Sequence, residues 1–161
     1  MRTVTLCLSI LILVLTGCGR GQTSSDAGIA LSRAGRALET GETTSFAKFV
    51  LPQQRTGPLG LTRLPADMQK PAEEITLQDV LALDFFKNAQ SVKLAPPPDA
   101  PHDSTAIRID TTFGYADGFN ATRPVVMRLV DNNWYVDMKE TLAVWIRDYG
   151  TAAFVAAPPP T

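Results

Sequence analysis

The sequence predicts an α+β fold: N-terminal helices packed on a curved, mainly antiparallel sheet with a final hairpin and a short C-terminal helix. Apolar residues recur at helical spacing in residues 26–51 and again in residues 76–89. Between residues 105 and 138 they instead alternate with polar residues, as half-buried strands require. Residues 53–74, which are rich in Pro and Gly, predict a long irregular connection between the two helical stretches.

The first 17 residues have the layout of a bacterial signal peptide. Arg2 is followed by an apolar run that ends before the roughly 20 residues a spanning helix needs. The run closes on Leu15-Thr16-Gly17-Cys18, which resembles the lipobox of bacterial lipoproteins. The resemblance implies that the Cys18 thiol takes a diacylglyceryl group, becomes the first mature residue and anchors the chain to a membrane. It also implies a place in the bacterial cell envelope, facing the periplasm from the outer membrane where the host is diderm.

Four segments follow from this pattern. Residues 1–17 are the leader, 18–25 a lipidated tether, 26–150 a single α+β domain, and 151–161 a Pro-rich tail. Removing 17 of the 161 residues leaves 144, enough for one domain. The leader takes one of 15 basic and none of 16 acidic residues, which leaves 14 against 16. This near-neutral balance argues against nucleic acid as the main partner.

The first helix is predicted from Asp26 to Thr40, with Ser25 or Asp26 as its N-cap. Gly41 stands where a helix usually ends, because glycine accepts the left-handed backbone of that position. The residues predicted to share its apolar face are Ile29, Leu31, Ala34 and Leu38.

Two more helices precede the sheet. Residues Thr44–Leu51 predict a short helix that Pro52 ends, since proline cannot donate the next helical hydrogen bond. Thr76 and Asp79 have the spacing of a capping box. They open a helix predicted to continue to about Ala89.

Alternating segments predict four strands, and a final helix follows them at Thr141–Tyr149, ended by Gly150. The predicted strands are Ser91–Leu94, Thr105–Phe113, Arg123–Val130 and Trp134–Met138. Residues of the last two strands predicted to face the core are Val125, Met127, Leu129, Trp134, Val136 and Met138.

The last hairpin has two possible registers. A three-residue loop would set Met127 against the carboxylate of Asp137. A two-residue Asn132-Asn133 loop pairs Arg128 with Asp137 instead, and asparagine accepts the positive φ of a tight turn. The two-residue loop is therefore predicted.

The order of elements resembles the nuclear transport factor 2-like superfamily, a cystatin- or ketosteroid-isomerase-like cone of helices wrapped by a curved sheet. The similarity is carried by the helix-to-strand passage from Phe85-Phe86 to Leu94 and by the hairpin Val130–Asp137. It implies a conical cavity, which holds an active site in some members, an apolar ligand in others, and is filled in many lipoproteins. A generic α+β sandwich is the alternative.

Few residues are candidates for a catalytic or metal-binding role. Asp84, on the most apolar helix, is the candidate buried acid, with a capping or helix-flank role as the alternative. Asp110 and Asp137 are predicted on the solvated face of the sheet, paired with arginines. His102 is the single histidine, so neither a metal cluster nor a cofactor is predicted.

Two aromatic residues are candidates for a binding surface. Phe119 lies in a predicted turn, and Trp145 lies on the last helix. The sequence thus predicts a non-enzymatic envelope lipoprotein that binds a partner protein or a small apolar ligand. The alternative is a small cavity enzyme, of the isomerase or dehydratase type, with the same fold.

Overall fold

The computed structural model describes residues 23–63, 68–101 and 103–157. Cys18, His102 and the last four residues lie outside these ranges. The fold is α+β, as predicted, with a curled sheet of strand order β1-β2-β3-β4 in which every neighbouring pair is antiparallel. The helices are α1 (Ser24–Glu39), α2 (Thr43–Ala47), α3 (Leu77–Leu81), α4 (Asp84–Lys87) and α5 (Met138–Tyr149). The strands are β1 (Ser91–Leu94), β2 (Ala106–Gly114), β3 (Asn120–Val130) and β4 (Asn133–Val136).

Helix α1 begins two residues earlier than its apolar pattern predicted. Its N-cap is Thr23, not Ser25 or Asp26, because Asp26 at the third helical position completes a capping box with Thr23. The Asp26 carboxylate accepts the Thr23 N–H at 2.8 Å. Ile29 is 51% exposed, so its predicted place on the buried face was wrong. Ala27 fills that place and completes the buried stripe of Ala27, Leu31, Ala34 and Leu38.

Two glycines let α1 approach β1 and the chain that follows this strand closely. A Cβ atom at Gly28 would lie 2.7 Å from the Pro97 ring, and one at Gly35 would lie 2.8 Å from Val92. Such distances are shorter than carbon atoms tolerate, so a larger residue here would push the helix from the strand.

Both of the next two predicted helices are shorter in the structure. The first ends at Ala47, after which the chain becomes extended and pairs with Val136 of β4. The second stops at Leu81, and α4 restarts at Asp84 after the extended Leu83. Helix α4 carries Phe85 and Phe86 as neighbouring residues, and both rings are buried.

The last hairpin has a two-residue loop, but its register differs from the prediction. Asp131 and Asn132 take positive φ values of 48° and 59°, so they form the loop and Asn133 already pairs with Val130. Met127 consequently pairs with Val136, not Met138. The shift is two residues, which leaves Trp134 and Val136 on their predicted face. The strand ends at Val136, so Asp137 and Met138, predicted in it, belong instead to the start of α5.

Strand β4 pairs only with residues 127–130 of β3, and the chain after β4 covers the rest of that edge. Val126 donates its N–H to Thr141 Oγ1 at 3.0 Å, and Trp145 Nε1 donates to the Pro124 carbonyl at 2.7 Å. At the start of β3, Asn120 and Ala157 exchange backbone hydrogen bonds of 2.9 and 2.7 Å. Helix α5 and the residues after it thus bond the backbone N–H and C=O groups of β3 with which another strand could otherwise pair.

The segment after Gly150 packs on the domain as far as residue 157, so its prediction as a tail was wrong there. Arg123, only 8% exposed, donates from Nε to the Ala153 carbonyl at 3.0 Å and from Nη2 to the Ala152 carbonyl at 2.7 Å. Its guanidinium also lies 4.0 Å from the ring centroid of Tyr149. One buried arginine therefore holds the end of α5 and the residues that follow it against β3.

Candidate functional site

The interior of the domain is filled by aromatic side chains. Trp145 is fully buried, and its ring centroid lies 5.7 Å from that of Phe86 and 5.8 Å from that of Phe113. The remaining cavity is about 20 Å³, room for roughly one water molecule. The prediction of Trp145 as a surface residue was therefore wrong. Met138, Thr141, Leu142 and Trp145 follow a helical core stripe, a signal already present in the sequence.

An open groove of about 700 Å³ lies at one end of the domain, and we call it the distal groove. Its lining comes from four separated segments, the end of α1, helix α4 with the residues after it, the β2–β3 turn and the chain after α5. The lining residues used below are Glu39, Asp84, Phe85, Lys87, Asp117, Phe119 and Phe154.

Phe119 is held in this groove by a defined turn. Tyr115 donates its N–H to the Phe119 carbonyl at 3.0 Å, and Gly118 donates to the Tyr115 carbonyl at 3.1 Å. Gly118 has a φ of 75°, which favours glycine. The Phe119 side chain is 38% exposed. A large aromatic residue on a rigid turn is a typical anchor for a partner.

Tyr115 braces the floor of the distal groove. Its hydroxyl donates to the Phe85 carbonyl at 2.8 Å, which ties the β2–β3 turn to α4. Burial raises the pKa of Tyr115 above its ordinary value, so the hydroxyl remains a neutral donor at physiological pH. This contact makes Tyr115 a structural residue of the groove.

Asp84 lies exposed on the rim of the distal groove, so the prediction of a buried acid was wrong. It is the first residue of α4, where a carboxylate is favoured by the unpaired N–H groups of the helix start. Asp84 and Phe119 were separate candidates in the sequence, and the structure brings them to the same groove.

The buried carboxylate among the described residues is Asp137, which is 5% exposed, so its prediction on the solvated face was wrong. It accepts from Gln54 Nε2 and Arg128 Nε, each at 2.8 Å, and from the Glu140 N–H at 3.1 Å. Burial raises the pKa of Asp137, but these hydrogen bonds outweigh it, so the pKa lies below its ordinary value. Asp137 is therefore an ionised N-cap of α5. Asp110, in contrast, is exposed as predicted.

Gln54 is a residue that sequence reasoning missed. Its Oε1 accepts from the N–H groups of Met138 at 2.8 Å and Lys139 at 3.2 Å, while its Nε2 holds Asp137. It thereby satisfies the start of α5 from a segment more than eighty positions earlier. No local pattern marks Gln54, because its partners are distant in sequence.

The distal groove and the start of the described chain lie at opposite ends of the domain. Thr23 lines a small pocket with Ile107 and Trp134, near the starts of β2 and β4. Helix α1 then runs 16 residues, about 24 Å at 1.5 Å per residue, and its last residues line the distal groove. Strand β2 also connects the two ends, since Ile107 lines the small pocket and Tyr115, directly after the strand, lines the groove.

A second groove, of about 300 Å³, lies between residues 60–63 and the outer face of α5. Arg63, Lys139 and Arg147 line it, and Arg147 is paired with Asp148 at 2.6 Å. This basic groove contains no aromatic side chain. It therefore lacks the anchor that the distal groove has in Phe119.

Neither a metal centre nor a membrane-spanning helix is found in residues 23–63, 68–101 and 103–157. No cluster of three His, Cys, Asp or Glu side chains could hold a metal there. No helix of these ranges combines the length and apolar character needed to cross a bilayer. Comparison of the chain with protein-family models, curated proteins and solved structures gives no match.

Proposed function

We propose that the chain is a lipid-anchored, non-enzymatic lipoprotein of the bacterial cell envelope that binds a partner protein through the distal groove. The observation that carries this proposal is the position of the groove, with the exposed Phe119, at the opposite end of α1 from Thr23. Thr23 follows Cys18 by five residues, which span at most about 18 Å. A lipid on Cys18 would therefore attach near one end of the domain and leave the other end to a partner.

The filled interior favours a protein partner over a small apolar ligand or a substrate. Ligand pockets usually have volumes of about 300 Å³ or more, whereas the cavity here is about 20 Å³. A cavity enzyme would need an acid or base facing that space, but the buried Asp137 is fully engaged in capping α5. The open groove, in contrast, is large enough for side chains of another protein.

The anchor is tested by replacing Cys18 with alanine in the native host and following the protein by membrane fractionation. We expect Cys18→Ala to leave the membrane fraction, because two acyl chains on this thiol would provide the anchoring energy. Cys7→Ala is the matched control, since Cys7 lies in the predicted leader. Retention of Cys18→Ala in the membrane after a high-salt wash would contradict the lipid anchor.

The groove is tested by site-specific photo-crosslinking in the intact envelope. A photoreactive phenylalanine analogue at position 119 should give a discrete protein adduct, identified by mass spectrometry. The same analogue at Ile29 is the control, because Ile29 is exposed but lies outside the groove. Identical adducts from both positions, or none from position 119, would contradict partner binding at the distal groove.

A further inference from the structure

The distal groove combines an apolar floor with an acidic rim. The rings of Phe85, Phe119 and Phe154 contribute the apolar part of the lining. Its charged side chains are three carboxylates and one ammonium group. These are Glu39, Asp84, Asp117 and Lys87.

The negative charge of this rim is not neutralised within the domain. Among the described residues, Asp84, Asp117 and Lys87 form no ion pair. The Glu39 carboxylate accepts the Val92 N–H at 2.7 Å, a contact with a neutral group that leaves its charge in place. Three carboxylates therefore outweigh the single ammonium of Lys87.

Helix α1 adds to the same field. Its last residues, Leu38 and Glu39, line the distal groove, and the C-terminal end of a 16-residue helix carries a partial negative charge. A cation placed in the groove would therefore meet both the carboxylates and the negative end of the helix dipole.

Building on the proposed partner-binding role, we infer that the distal groove takes an extended segment of the partner in which an aromatic or aliphatic side chain is flanked by lysine or arginine. The apolar side chain would pack against Phe119 and Phe154, and the flanking cations would face Asp84 and Asp117. An acidic segment would meet repulsion here and would be drawn instead to the basic groove beside α5.

The test uses three fluorescent peptides that share a central Leu-Phe pair and differ only in their flanks, which are lysine, serine or glutamate. Binding to the full lipidated chain in nanodiscs of neutral lipid is measured by anisotropy, with empty nanodiscs as the blank. We expect the lysine-flanked peptide to bind about tenfold more tightly than the serine-flanked one, because several exposed ion pairs add up. The glutamate-flanked peptide should bind most weakly.

Charge reversal locates the effect. The double variant Asp84→Lys/Asp117→Lys should reverse the order of the lysine- and glutamate-flanked peptides. Glu73→Lys/Glu74→Lys makes the same change in net charge on exposed residues outside the groove and should preserve the order. Phe119→Ser should weaken binding of all three peptides.

Failure of the basic-segment inference can be distinguished from failure of the proposed partner-binding function. Tightest binding of the glutamate-flanked peptide, equal binding of all three, an order unchanged in Asp84→Lys/Asp117→Lys, or no binding at all would overturn the basic-segment inference. The crosslink at position 119 is independent of these probes. A protein adduct there with no preference for the lysine-flanked peptide would leave the partner-binding function standing and remove only its proposed chemistry.

Discussion

The interior of the domain and the distal groove share a wall of aromatic residues, Phe85 and Phe154. Phe85 packs at 5.3 Å from Trp145, between ring centroids, and also lines the groove. On the inner side, rings from α4, β2, α5 and the segment after it converge and fill the space. On the outer side, the walls are turns and helix ends, and within the described ranges no aromatic ring packs on Phe119. Aromatic content alone thus does not decide whether a site is open; the direct contact of the rings with one another does.

The largest expected effect on stability is in the aromatic interior of the domain. Trp145→Ala should lower the free energy of unfolding by about 3–5 kcal/mol, because it removes the ring that contacts four other aromatic side chains. Urea denaturation measures the loss. Added indole should restore part of the thermal midpoint by filling the new cavity. A loss below about 1 kcal/mol would mean that the interior is not tightly packed.

The next largest effect on stability is expected where α1 packs against β1. Gly35→Ala should cost about 1–3 kcal/mol, because its new methyl group would overlap Val92. The double variant Gly35→Ala/Val92→Ala should lose less than the sum of the two single changes. Strict additivity in this double-mutant cycle would show that the two positions are not in contact.

A smaller effect is expected at Asp137, whose pKa is lowered in the folded protein. Because the folded pKa is depressed, the stabilisation is fully present above the unfolded value of about 3.9 and is lost as the pH falls through the folded value. Asp137→Asn keeps a capping side chain but loses the charge that pairs with Arg128, so it should cost about 1 kcal/mol at neutral pH. The difference between wild type and variant should shrink in acid, as measured by denaturation at several pH values.

The smallest effect on stability is expected at the groove. Phe119→Ala should change the free energy of unfolding by less than about 0.5 kcal/mol, because this side chain is partly exposed in a turn. Its thermal midpoint should match that of Ile29→Ala. A cost similar to that of Trp145→Ala would mean that Phe119 belongs to the core and that the contrast between the two regions is false.

Local patterns were sufficient for much of the fold. The capping box of Thr76 and Asp79 formed as predicted, and the alternation of β2 placed Ile107 and Ile109 in the core. The hairpin register could not be derived, since both Asp131-Asn132 and Asn132-Asn133 suit a tight turn. For such a loop, neighbouring contacts choose between registers that preserve the same faces.

The candidate site was predictable only in part. The turn residues around Phe119 were visible in the sequence, and so was its exposure. The groove itself was not, because it is assembled from four segments separated by up to about a hundred residues. The packing of the chain after Gly150 was equally hidden, since it depends on the bond from Arg123 to the Ala153 carbonyl and on the pairing of Ala157 with Asn120.

If the chain is lipid-anchored as proposed, the closed edge of β3 limits how neighbouring copies on the membrane can pair. Lipid-anchored copies would share a membrane plane, where each domain meets its neighbours far more often than in bulk solution. An open strand edge under those conditions would invite sheet-to-sheet pairing and aggregation. Here Thr141, Trp145 and Ala157 occupy that edge, and the Glu39 carboxylate takes an N–H of β1 at the other side of the sheet. These contacts take up edge groups of β3 and β1 that could otherwise pair with a strand of another copy.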